Sequence, residues 1–397
     1  MGNESNVRRS FAWLSAGFVA GYVGVRAAEA LADLRRPSAA LPKDPSRYGS
    51  IRRKLMLAAI ARNLTGSAAV AFELADRMAP PIEKRFGRLA PAVYFSAMLA
   101  CETFIETPVD YVEHFVLERR FGMSDQRVGA WLGDRLKGLA VAVAFGAPLS
   151  SGLVALSRRF PRAWPFGAAL AVPPLLVLAN IVVPLYVAPL FNRFEALATP
   201  LEKRLRHLAD RYGAGDAQIF RADFSRRTKK VNAYVTGLFG THRIVVGDTL
   251  LDGFGENEIE FIVAHELGHY VGRDTWIGVG LGSLFSTAVI FGGHALARRD
   301  DDPVTTLPAL QRFSFYATVL SMVLGPLVAA CSRAIERRAD RFAVTATNDP
   351  RSGVTAFEKL RERNLAEDEQ PRWAELLVST HPSLRSRIST LRQAATN

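Results

Sequence analysis

Two histidines four residues apart, with a glutamate directly after the first, are the residues best placed to do chemistry: His265-Glu266-Leu267-Gly268-His269. On a helix, residues i and i+4 lie one above the other on a single face, so both imidazoles can grip one metal ion from a rigid element. Glu266 then lies where its carboxylate can take a proton from a water activated by that ion, the HExxH arrangement of zinc peptidases. Three fixed residues also recur by chance, and a His-Glu-His trio is often only a solvated helix face. Two features weigh against that bland reading. Ile262, Val263 and Ala264 mark a buried helix, where three polar side chains on one side are costly without a partner. Farther along, Glu336 and Asp340 show the same four-residue spacing. Glu336 would complete a ligand set of two histidines and one glutamate, with a fourth position left to water. The expected cofactor is one Zn2+.

The elements that must carry these residues are mostly apolar. Of 397 residues, 49% are hydrophobic, and the formal net charge is +12. The mean hydropathy lies slightly above zero, whereas a soluble enzyme of this length normally falls below it, so membrane spans are expected. The basic balance raises the question of nucleic acid, but no basic stripe interleaved with aromatics is present, and no nucleic-acid partner is expected. The arginines cluster instead beside apolar runs, as loops near an anionic membrane surface do. Cys101 and Cys331 each sit in an apolar stretch, so neither a disulfide framework nor a thiolate site is foreseen.

Seven spans are read from the apolar runs: residues 11–25, 55–74, 89–112, 139–157, 166–191, 275–297 and 313–332. Pro80-Pro81 is expected to break the chain after the second, and Pro173, Pro174, Pro184 and Pro189 to kink the fifth. Glu102, Glu106 and Asp110 put three carboxylates on one stripe of the third. They must face a water-filled interior or basic partners, unless the helix leaves the bilayer near Glu102. With Arg62 and Glu73 they are expected to line a polar chamber.

Residues 192–274 read as a soluble stretch. It holds a helix over 201–212, short strands at 218–222, 232–236 and 243–246, and the HELGH helix over 256–272. The expected division is thus 1–191 with five spans, 192–274 soluble, 275–332 with two further spans, and 333–397 as a catalytic helix and tail. HELGH precedes the sixth span and Glu336 follows the seventh. An up-and-down pair of spans returns the chain to the same membrane face and lets the ligand set meet there. The fold class is an all-α multispan membrane protein, about seven transmembrane helices enclosing a chamber, with a small α+β zinc metallopeptidase region.

Eight stretches in order carry a resemblance: Pro108-Val109-Asp110-Tyr111, residues 118–122, 131–137, 189–194, 232–237, the HELGH helix, 332–340, and His381-Pro382 through Arg387-Ile388. Together they resemble the integral-membrane CAAX prenyl proteases, also called a-factor-converting zinc endopeptidases, over most of the chain. The resemblance implies seven helices around a water-filled chamber, capped on the cytoplasmic side by the zinc site. It implies removal of C-terminal tripeptides from prenylated cysteines, with a second upstream cut in some precursors. By position, His265, His269 and Glu336 match the zinc ligands and Glu266 the general base. Asp340 matches an acidic residue that partners a zinc histidine. Asn232 matches an asparagine on the strand that holds the substrate backbone. His381 and Arg387 match a histidine and an arginine near the reaction centre, and His381 is a candidate donor to the oxyanion. On the residues alone, Asp340 could equally pair with Arg337 or Arg341, Asn232 could be a turn residue, and His381-Pro382 a helix start.

The Ala-, Arg- and Gly-heavy composition is that of a GC-rich bacterium, where an inner membrane is expected and prenylated CAAX substrates are not, so the chemistry carries over better than the substrate. The cytoplasmic placement of the zinc site is what the resemblance implies, because the Lys and Arg of the short loops balance across the two faces. The expected partners are a peptide or protein substrate and the lipid bilayer; the sequence does not specify an oligomeric state. A heat-shock-type membrane quality-control protease is the alternative enzyme, and its family has fewer spans. A transporter or scaffold would have no use for an intact Glu266 and Glu336.

Overall fold

The computed structural model describes residues 42–298 and 304–396, so the first expected span, 11–25, lies outside the described residues. Five helical runs among them are long and apolar enough to cross a membrane. The first, Pro45–Arg120, is a hairpin of two legs. It comprises α1 (Pro45–Ala69), a π-turn at Val70–Leu74, α2 (Ala75–Phe86), α3 (Ala90–Asp110), a π-turn at Tyr111–Val116, and α4 (Leu117–Arg120). Asp44 opens α1 by accepting from the Ser46 and Arg47 amides, ahead of Pro45 at the first helical position. The reversal falls at Gly87, whose φ of 52° suits glycine. Three contacts nest around it. Ala79 shares a cluster with Tyr94, Arg62 lies 3.4 Å from Glu106, and the Tyr48 hydroxyl donates to Glu118 at 2.5 Å. Concentric pairs of this kind require antiparallel legs, which correspond to the second and third expected spans.

Pro80-Pro81 does not break the chain as expected, because both prolines lie inside α2. Ala79 is wholly buried in the cluster around Trp164, and such packing overrides local propensity. The next legs are α5 (Val128–Arg159) and α6 (Trp164–Val182). The chain passes through Pro173 and Pro174 within α6 and loosens into a π-turn at Val183–Val187, around Pro184. Leu170 and Leu178 stand exposed, as lipid-facing side chains do.

Beyond α6 the chain builds a four-stranded sheet in the order β1-β2-β4-β3. β1 (Phe194–Ala196), which the sequence reading missed, is antiparallel to β2 (Gln218–Ala222). β3 (Ala233–Thr236) is antiparallel to β4 (Arg243–Gly247) and forms an edge, while β2 and β4 run parallel. α7 (Pro200–Arg211), the short α8 (Asp248–Leu251) and α9 (Glu256–Val271) accompany the sheet. Leu205, Leu208, Ile244, Leu250, Phe261, Val263 and Leu267 share its core. Each such burial is worth about 1.5–3 kcal/mol.

α10 (Asp274–Ala297) then leaves this region, and α11 (Leu307–Thr347) returns to it as a single helix of 41 residues. α12 (Pro350–Arg363), α13 (Arg372–Leu377) and α14 (Leu384–Ala394) follow. At the far end the turns are tied together. Arg158 donates to Glu83 at 2.5 Å and to the Thr305 carbonyl at 3.2 Å, and Trp164 packs edge-on against His294 and Phe313. At the near end Lys230 of the sheet region donates to Tyr48 and Glu118 of the first hairpin at 2.7 and 3.0 Å.

Candidate active site

α9 is the element on which the site is built. Glu258 closes its N-terminus by accepting from the Gly255 amide at 2.7 Å and is itself held by Lys359 at 2.7 Å. Its apolar residues are spent on the sheet and on α12, and its HELGH segment meets α11. Gly268 permits that approach. A Cβ there would stand 3.1 Å from the Ala339 Cα and 3.3 Å from the Ala339 carbonyl oxygen. Glu336, one turn before Ala339, is thereby brought to the two histidines.

The donor atoms converge. His265 Nε2 lies 3.3 Å from His269 Nε2 and 3.4 Å from Glu336 Oε2, and His269 Nε2 lies 3.6 Å from Glu336 Oε1. Two donors each about 2.0–2.1 Å from a tetrahedral ion are separated by about 3.3–3.4 Å. Glu336 Oε2 is also buried without a hydrogen-bond partner among the described residues, an orphan that a cation would satisfy. These residues therefore fit a metal, and among the described residues they are the one such group whose donors come this close.

The other nitrogen of each ring is held as well. His265 Nδ1 lies 2.9 Å from Asp340 Oδ1, and His269 Nδ1 lies 2.9 Å from Asp274 Oδ2. A carboxylate so placed fixes the tautomer and leaves Nε2 free to face a metal. Arg387 donates to both Asp340 oxygens, at 2.8 and 2.6 Å, and its guanidinium lies 4.2 Å from the centre of the Phe357 ring. Arg338 donates to only one oxygen of Asp274, Oδ1, and also to the Gly272 carbonyl at 3.2 Å. The sequence reading named Asp340 and Arg387 but missed Asp274 and Arg338. Asp274 reaches back to His269 only because Arg273 turns the chain at φ 55°. An acidic residue just past the helix was the available signal; the turn that aims it was not readable.

Electrostatics favour a cation here. Burial works against charge on His265, but its close pairing with Asp340 and the nearby Glu336 carboxylate outweigh that and carry the ring up to about 9. A metal bound at Nε2 would have to displace that proton, so metal affinity should rise with pH. Burial, and then the neighbouring His265, push His269 down. Burial raises the Glu266 carboxyl and the two histidines offset this in part, which moves it toward the range where a base works at neutral pH.

His381 Nε2 lies 3.3 Å from Glu336 Oε1, with the Thr380 hydroxyl 3.0 Å from its Nδ1. Its loop is tied to α11 by Arg333, which donates to the carbonyls of Glu375, Ser379 and Leu376 at 3.0, 2.7 and 3.4 Å. That anchoring role was also unforeseen. Asn232 stands apart. It is exposed at the start of β3, and its carbonyl accepts from the Gly247 amide at 3.0 Å. The structure thus gathers His265, Glu266, His269, Glu336, Asp340, His381 and Arg387, and leaves Asn232 on the adjoining sheet edge.

Membrane legs that carry two converging histidines and a glutamate beside a small sheet define a membrane metallopeptidase. The profile of peptidase family M48 matches residues 195–395, just over half of the chain, and the chain belongs to that family. A second profile, CAAX prenyl protease N-terminal, five membrane helices, matches residues 64–193. CAAX prenyl protease 1 of Saccharomyces cerevisiae is 35% identical over 185 residues, 46% of this chain and 41% of the yeast protein. The uncharacterized metalloprotease YhfN of Bacillus subtilis is 27% identical over 296 residues, 72% of this chain and 69% of its own. The crystal structure of S. mikatae Ste24p shares the fold, with a TM-score of 0.79 at 23% identity, covering 96% of this chain and 97% of that one. The resemblance drawn from the motifs therefore holds through both the membrane and the peptidase regions.

Proposed function

We propose that this metallopeptidase uses one zinc ion, held by His265, His269 and Glu336, to cut peptide bonds near the C-termini of membrane-anchored proteins, prenylated tails among them. The observation that carries this reading is the spacing of the donor atoms, 3.3, 3.4 and 3.6 Å, which matches the edges of a tetrahedral zinc site. When bound, zinc supplies Lewis-acid polarisation of the scissile carbonyl and lowers the pKa of a water toward neutrality. Glu266 takes the proton of the attacking water and later delivers it to the leaving amine. Asp340 and Asp274 keep the two imidazoles turned toward the ion, and Arg387 keeps Asp340 ionised in a buried place. His381, at the exposed side of Glu336, donates to the oxygen on which charge develops. The outer edge of β3 next to Asn232, at Ala233 and Val235, accepts an extended peptide as an added strand.

The substrate class follows the names of the relatives in yeast and other organisms, and the site's position where the legs meet the sheet suits a substrate tethered to lipid. The cytoplasmic face of a bacterial inner membrane is the proposed location. The test is elemental analysis of the detergent-purified protein, together with hydrolysis of a farnesylated C-terminal peptide and its unprenylated counterpart. Stoichiometric zinc is expected, with cleavage stopped by a chelator and a preference for the farnesylated peptide. Protein that cuts without zinc would overturn the mechanism; equal turnover of the two peptides would overturn the substrate class.

A further inference from the structure

The outer edge of β3 differs along its length. Asn232 lies opposite Gly247, whose amide its carbonyl accepts, and Ala233 to Thr236 lie opposite Val246 to Arg243. Bonding in an antiparallel pair alternates, so Asn232, Tyr234 and Thr236 direct their backbone groups toward β4. Val231, Ala233 and Val235 direct theirs outward. At Val231 the outward groups are already taken. The Val231 amide donates to Asn364 Oδ1 at 2.7 Å, and its carbonyl accepts from Asn364 Nδ2 at 3.2 Å. One side-chain amide makes the two bonds that a residue of an added strand would make.

Asn364 is firmly held. It ends α12, where its own amide donates to the Leu360 carbonyl at 3.0 Å. Leu365 follows at φ 48°, a left-handed conformation that a non-glycine residue adopts only under constraint. It is kept there by burial of its side chain among Tyr48, Ile51, Leu117 and Phe121 at the end of the first hairpin. Lys230, on the other side of the contact, is pinned to Tyr48 and Glu118 of the same hairpin. Both halves of the amide pair rest on one support.

We infer that Asn364 is a positioning residue that closes the peptide-binding edge at Val231 and so limits how far a substrate can pair along β3. This rests on the proposed use of β3 as the substrate strand. Ala233 and Val235 are left to pair with the peptide, and the side chain of Asn364 occupies the next place in the ladder. Asn364 therefore sets the length of peptide that gains affinity on one side of the scissile bond, without touching the reacting atoms.

The test uses the full chain in detergent and peptides lengthened one residue at a time on each side of the cleaved bond, with kcat and KM measured for each. In the wild type, KM should fall with length and level off, on one side, where Asn364 is met. Asn364→Ala frees one donor and one acceptor. A further residue on that side alone should then lower KM about two- to tenfold, the range of a backbone hydrogen bond or two, with the change falling on KM and not on kcat. Asn364→Asp keeps the acceptor for the Val231 amide and loses the donor, so it should show a smaller gain on the same side; it also serves if the alanine variant does not fold. A length profile like that of the wild type in a folded variant, or an equal loss of kcat at every length, overturns the role of Asn364. Absence of any length dependence in the wild type overturns the strand reading itself.

Discussion

His265 is the most constrained side chain of the site, since one nitrogen faces the donor cluster and the other depends on Asp340, which depends on Arg387. His269 has the matching chain through Asp274 and Arg338. Asp274→Asn should therefore weaken zinc binding about 10–100-fold, read by competition with a chromophoric chelator, while the fold is retained. Wild-type affinity in that variant would show that Asp274 does not orient the ring. Arg387→Lys should lose as much affinity as Arg387→Ala, because an ammonium can neither bridge both oxygens of Asp340 nor lie flat on Phe357. Glu266→Gln should keep its zinc and lose about 10²–10⁴-fold in kcat. Full activity there would remove it from the mechanism. The histidines and Glu336 were legible because a four-residue period on a helix is a local signal. Asp274 was not, because its reach is set by the backbone at Arg273, and a sequence shows no dihedral angles.

The pairing of α9 with α11 decides whether Glu336 meets the two histidines, and Gly268 sets how closely the helices approach. Gly268→Ala would place a methyl 3.1 Å from both the Ala339 Cα and the Phe342 ring, so the helices must part by a few tenths of an ångström. Zinc content should fall while helical circular dichroism is unchanged; full zinc occupancy would mean the pair can absorb the methyl elsewhere. β2, β3 and β4 were readable to within a residue because each is a short run of branched and aromatic residues bounded by turns. β1 has three residues and no pattern to find. The π-turns at Val70–Leu74, Tyr111–Val116 and Val183–Val187 were equally invisible, since one extra residue in a helical turn leaves no compositional mark. Pro80-Pro81 misled for the opposite reason: the local rule was clear, and burial of Ala79 against its neighbours overrode it.

At the scale of the molecule, the legs are joined by ion pairs. Arg62 meets Glu106 at 3.4 Å and Arg135 meets Asp110 at 2.6 Å, so of the charges expected to line a chamber these have basic or acidic partners, whereas Glu102 is exposed. Glu106→Gln should lower the thermal midpoint in detergent by stranding Arg62, and Arg62→Met in the same chain should restore part of it. Independent effects of the two changes would mean the pair is incidental. The expected alternation of legs was legible from apolar runs alone. Their orientation was not, because the lysines and arginines of the short loops balance across the two faces. A reporter fused after Asn397 should score cytoplasmic, and a periplasmic result would invert the proposed topology.

α11 has one further consequence. Its 41 residues reach about 60 Å at 1.5 Å per residue, twice the roughly 30 Å hydrocarbon slab, and Glu336 sits on the same rod that crosses it. A rod that tilts to match the bilayer moves its far end most, and that end carries Glu336, the proposed metal donor. Turnover in reconstituted vesicles should therefore peak at one acyl-chain length and decline in both thinner and thicker membranes. A flat profile would mean that the rest of the bundle takes up the mismatch. If the peak is found, lipid composition acts on this enzyme as a rheostat, with the membrane tuning hydrolysis through the angle of a single helix.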